Sequence, residues 1–76
     1  MKTISDYAVE ISSDWKNIPR NASAYLDCMA DLQTINDMYM YDSARSIVLR
    51  FLCNAQQWKG ENAKRIKAEL KSLCKE

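Results

Sequence analysis

MYMYDSARSIVLRFL, Met38 to Leu52, is the stretch on which the fold turns. Two Met-Tyr pairs run straight into Asp42 and Ser43, both good N-cap residues. Ala44, Ile47, Val48, Phe51, Leu52 and Ala55 follow at helical spacing as a broad apolar face ending at Trp58. This predicts a central helix over 43–58, with Met38 to Tyr41 forming a short corner between it and the helix before it. A corner cannot bury every large side chain. Tyr39 continues the preceding apolar stripe and is expected in the core, while Met38, Met40 and Tyr41 point in different directions. They either close one end of the core or stand out for a partner, and tyrosine and methionine are both enriched at interfaces.

Working back from that corner, Tyr25 or Leu26, Met29, Leu32, Ile35 or Asn36, and Tyr39 form a stripe with Asp27 and Asp31 on another face, which predicts the longest helix over 22–38 with Asn21 as its N-cap. Pro19 breaks the chain before it. Ile4, Ala8, Ile11 and Trp15 predict a first helix over 4–15, for which Thr3 and Asp6 make a capping pair. Forward from the corner, Gly60 marks a helix end or sharp bend, and Ala63, Ile66, Leu70, Leu73 and Cys74 predict a fourth helix over 62–74. The fold expected is therefore all-α, a compact four-helix domain with short connections, spanning residues 1–76 as one unit. Its core would hold Ile11, Leu26, Met29, Leu32, Ile47, Val48, Phe51, Leu52, Ile66 and Leu70, and the third helix would touch all the others.

Composition narrows function by exclusion. The 76 residues contain one Gly, one Pro and no histidine. The commonest general base is thus absent. A single glycine is incompatible with a P-loop or a dinucleotide fingerprint, the serines lack GxSxG context, and the acidic residues do not repeat as in an EF-hand. No catalytic residue and no cofactor is expected. Cys28, Cys53 and Cys74 read as free thiols, since zinc would need a carboxylate as fourth ligand, and no metal is expected. Asp6, Glu10 and Asp14 interrupt the N-terminal apolar residues, and no later run approaches a membrane span, so a soluble cytoplasmic protein is expected, with no membrane partner.

Charge is unevenly placed. Residues 59–76 carry a net +3 and residues 1–58 a net −2. On the fourth helix Lys64, Lys67, Lys71 and Lys75 fall in one narrow sector beside the apolar stripe. Such a row is either a solvated face near a helix C-terminus or a surface for phosphates or an acidic partner. Trp15 and Trp58 each sit beside a lysine at an expected helix end, where they either seal the core edge or meet a partner.

The run YDSARSIVLRFLCNAQQWKGENAKRIKAELKSL, Tyr41 to Leu73, resembles the C-terminal half of a family of small uncharacterised proteins encoded by phages and mobile elements of Gram-positive bacteria. The resemblance implies a stoichiometric accessory protein, a class that includes anti-defence inhibitors of the anti-CRISPR type. Two functions are therefore expected to compete. One is a non-enzymatic inhibitor or modulator of a host protein, such as a nucleic-acid-processing defence complex, using Met40, Tyr41, Trp58, Lys64, Lys67 and Lys71. The other is a nucleic-acid-associated regulator acting through the lysine face. A homo-oligomeric structural role stands behind both, and the acidic face around Asp27 and Asp31 is the fallback surface.

Overall fold

The computed structural model of the protein describes residues 2–39 and 41–74. Among them are four helices, α1 (Ile4–Asp14), α2 (Arg20–Met29), α3 (Ala44–Cys53) and α4 (Glu61–Cys74), and two short strands, β1 (Met38–Tyr39) and β2 (Asp42–Ser43). The helices pack in a closed cycle, α1 on α2, α2 on α3, α3 on α4 and α4 back on α1. The Cys74 thiol reaches the Arg45 carbonyl oxygen at 4.0 Å, so the end of α4 lies beside the start of α3.

Helix starts follow the chemistry of their first residues. Thr3 and Asp6 form a reciprocal capping box on α1. Ser43 accepts from the Ser46 N–H at 3.1 Å and caps α3. For α2 the cap is Pro19, one of the residues that open the helix rather than Asn21, and its carbonyl accepts from Ala22 and Ser23. The core is built from all four helices, with Phe51, Ile4, Ile11, Met29, Leu32, Ile66, Leu70 and Val48 its largest fully buried side chains. Leu52 is only half-buried at its edge. The three thiols are free.

Three expectations are corrected. The fold is mainly α but carries a two-stranded antiparallel sheet, with Met38 opposite Ser43 and Tyr39 opposite Asp42. The second helix stops at Met29, nine residues short of the expected end at Met38, and α4 is the longest at 14 residues. Its apolar stripe continues only by coincidence: Leu32 is buried from a loop, and Thr34 and Asp37 hold the following turn by side-chain bonds that compete with helix. The third helix stops at Cys53 rather than Trp58, because the Asn54 amide donates to the Arg50 carbonyl oxygen at 2.8 Å and ends the ladder. As expected, α3 packs on α2 and α4. It meets the end of α1 through the edge contact of Trp15 with Phe51, ring centroids 6.4 Å apart.

Candidate functional site

The link from α2 to α3 is organised by one carboxylate. Asp37 accepts from the Gln33 and Thr34 N–H groups at 2.8 and 3.1 Å and from the Thr34 hydroxyl at 3.1 Å. Those bonds hold its carboxyl below the usual carboxylate range, the Gln33 bond contributing most. The Ala44 N–H donates to the Asp37 carbonyl oxygen at 2.8 Å and closes the base of the hairpin. The carbonyls of Leu32 and Gln33 in the same link accept from Ser5 and Ile4, satisfying two free N–H groups of α1.

Tyr41 stands at the apex of this hairpin and is 98% exposed, and Met38 is 61% exposed. Tyr39, on the other hand, lies half-buried against the core, as the stripe suggested. Met40, the expected companion of Tyr41, lies outside the described residues, as does Lys75. The surroundings are acidic. Asp42 pairs with Arg50 at 3.7 Å, and Asp27, Asp31 and Asp42 lie close enough to Cys28 to raise its thiol pKa, although burial is the larger cause.

Trp58 belongs to the interior. It is 2% exposed, so a partner cannot reach its ring without unpacking the core. Its indole stacks on Trp15 with centroids 5.6 Å apart and planes at 11°, and its ring N–H donates to Asp14 at 2.9 Å. Asp14 also accepts from the Asn62 amide at 3.0 Å, and these two bonds, the Asn62 bond first, hold its pKa low.

The lysines do not act as one row. Lys67 is half-buried, donates to the Trp58 carbonyl oxygen at 2.6 Å and lies 5.7 Å from the Trp58 ring centroid. Burial, then the charges of Lys71 and Lys59, lowers its pKa. Lys64 is exposed and shares with Lys67 and Lys59 a cleft of about 540 Å³ at the start of α4. Lys71 is exposed further along α4 and lines none of the clefts described here. Ten residues separate Lys64 from Cys74, which sits by the start of α3, so Lys64 and Tyr41 lie toward opposite ends of the α3–α4 pair, roughly 15 Å of helix apart. The structure therefore sets Lys64 apart from the hairpin, whereas Lys71, one turn before Cys74, lies toward the hairpin end of α4.

Among the further clefts that sequence reasoning missed, two lie at the far end of α3 from the hairpin. One of about 260 Å³ is lined by Pro19, Asn21, Cys53, Asn54, Gln56 and Gln57. The other, about 390 Å³, is lined by Arg20, Asn21, Ala24, Tyr25 and Asn54. The amide-rich run NAQQ signalled them, but only the early end of α3 exposes it. No helix among the described residues is long and apolar enough to cross a membrane, and none of their His, Cys, Asp and Glu side chains gather into a group of three suited to a metal ion. Comparison with protein-family models, curated proteins and solved structures finds no match for the chain.

Proposed function

We propose that this is a non-enzymatic accessory protein of phage or mobile-element type that binds a host protein and inhibits or modulates it, with the Tyr41 hairpin as its anchor. One observation carries the reading: a tyrosine 98% exposed at the apex of a hairpin whose base is fixed by backbone and Asp37 hydrogen bonds. Interface energy concentrates in a few rigid aromatic anchors, and a hairpin already ordered in the free protein loses little freedom on docking. The acidic side chains nearby, Asp42, Asp27 and Asp31, favour a partner whose pocket is rimmed by positive charge, as surfaces that handle nucleic acid are. The resemblance of Tyr41–Leu73 to small phage proteins points the same way, to a defence complex of the anti-CRISPR-targeted kind. The thinness of the catalytic inventory agrees with binding rather than turnover.

The test is an affinity capture from bacterial lysate to identify the partner, then titration of folded variants against it. Tyr41→Ala should weaken binding by about 2 kcal/mol or more with an unchanged circular dichroism spectrum. Parent-like affinity in that variant would remove the hairpin from the interface and leave the acidic face at Asp27 and Asp31 as the surface to test next.

A further inference from the structure

At the far end of α3 from the hairpin, the three clefts share their walls. Gln56 lines both the lysine cleft and the amide cleft, and Asn21 and Asn54 line both the amide cleft and the one beside Tyr25. Set side by side by these shared residues, they make a trough running from Arg20 and Tyr25, past the carboxamides of Asn21, Asn54 and Gln56, to Lys59, Lys64 and Lys67. Four cations border it, and Glu61 is the one carboxylate among its lining residues. The rest of the described chain is richer in acid, and the cleft between α1 and α4 is lined by Glu10, Asp14 and a single cation, Arg65, so the positive charge is concentrated along this trough.

We infer that this trough binds single-stranded nucleic acid. A strand needs three things from a protein groove: cations spaced along the backbone, hydrogen-bonding groups for sugar and base edges, and an aromatic face for stacking. Arg20 and the lysines supply the first from both ends. Asn21, Gln56 and Gln57 supply donors and acceptors between them, and Tyr25, half-buried against the core, supplies a ring held in place. A rigid duplex is matched less well, because its bases are already stacked and turned inward. An acidic peptide would use the cations and the amides but has no base to stack on the ring. The site goes beyond the proposed function: it lies away from the Tyr41 hairpin and leaves it free for a protein partner.

The experiment is fluorescence anisotropy of a labelled oligothymidylate of about twelve nucleotides, long enough for one groove of this kind, titrated with the full protein from roughly 20 to 200 mM salt. Binding should weaken steeply as salt rises. Lys59→Gln with Lys64→Gln removes two exposed cations without touching the Lys67 bond to Trp58. It should weaken binding about tenfold at low salt and flatten the log–log salt slope by about 1.4, two phosphate contacts' worth for a single strand. Tyr25→Leu, which keeps an apolar side chain against the core, should weaken binding about fivefold or more and leave the slope unchanged, because stacking carries no counterions. Lys71→Gln, outside the trough, should bind as the parent does. The inference is overturned by absence of binding at low salt, or by a duplex or polyglutamate competing as well as the oligonucleotide. Loss on Lys71→Gln equal to that of the double variant would also overturn it, since the charge of α4 alone would then be responsible.

Discussion

The two links flanking α3 solve the same problem in opposite ways. Each must turn the chain between helices, each contains a large aromatic residue, and each is tied by one aspartate. In the α2–α3 link the aspartate is local: Asp37 bonds to groups three and four residues before it, and Tyr41 is left outside. In the α3–α4 link the carboxylate comes from Asp14, 44 residues from Trp58 and 48 from Asn62, and the aromatic itself is the tether. Local polar bonds set the turn at Asp37 without calling on Tyr41, which is left free for other uses although Leu32 in the same link is buried. A tertiary tether needs its aromatic inside. The same contrast separates the proposed functions, since the first link displays a side chain and the second shapes a trough.

The comparison breaks most severely at Trp58. Trp58→Ala removes a fully packed indole that stacks on Trp15 and should cost about 3–5 kcal/mol, comparable to the whole stability of a small domain. Chemical denaturation would read it, with Phe51→Ala, at the centre of the core, falling in the same range. Trp58→Phe keeps most of the stack but loses the bond to Asp14, and about 1–2 kcal/mol of loss would separate the polar part of the tether from the apolar part. A Trp58→Ala protein melting within a degree or two of the parent would mean that the second link does not depend on its aromatic.

Asp37→Ala is the corresponding break in the first link. Three hydrogen bonds go, two of them from backbone N–H groups, but all are exposed, so water replaces them and the expected loss is about 1–2 kcal/mol. Faster amide exchange at Gln33 and Thr34, without change in α3 and α4, would show that this link is held locally.

What could be read from the sequence divides along the same line. The caps at Thr3–Asp6 and Ser43, the break at Pro19 and most of the core were legible because they rest on neighbouring residues and on helical period. The hairpin was not, because Leu32, Ile35 and Tyr39 continue the period of α2 after the helix has ended. The cluster Thr34, Asn36, Asp37 was the signal that side chains compete for the backbone there. In the candidate site, Tyr41 was legible as a large side chain with nowhere to go. For Trp58 a seat at the core edge was one of two open readings, and the partners that decide for it, Trp15 and Asp14, are far away in sequence. Lys67 was legible as one of a row of lysines, but its bond to the Trp58 carbonyl oxygen was not, since it joins residues on two separate elements.

Acid should weaken both links. Asp37 and Asp14 are held below the ordinary carboxylate range by the bonds they accept in the folded chain, and Glu69 is held low by the Tyr7 hydroxyl and Arg65. A depressed carboxylate contributes stability that is fully present above its unfolded pKa, near 4, and is lost as pH falls through the lower folded value. The melting temperature should therefore fall as pH drops from about 5 toward 2–3. Tyr7 sets the alkaline side with the opposite sign. Burial, then its bond to Glu69 at 2.7 Å, raises its pKa to about 12, so its contribution holds up to about pH 10 and is lost between 10 and 12. Asp37→Asn and Asp14→Asn should each flatten the acid limb. An acid limb unchanged in both would place the responsible carboxylates elsewhere.

The smallest effect expected is on the stability of Tyr41→Ala, and its smallness is what makes the variant useful. A side chain 98% exposed gives up almost no burial on truncation, and the strand pairing on either side uses backbone groups that the change does not touch. Tyr41 lies between the strands rather than in either, so only an exposed turn residue changes, which keeps the cost within about 0.5 kcal/mol. Equilibrium denaturation of parent and variant side by side measures this directly. A loss near 2 kcal/mol would mean that Tyr41 folds back on the protein in solution, and the contrast between a displayed and a buried aromatic would collapse. A loss within 0.5 kcal/mol would leave any drop in partner affinity attributable to the interface alone.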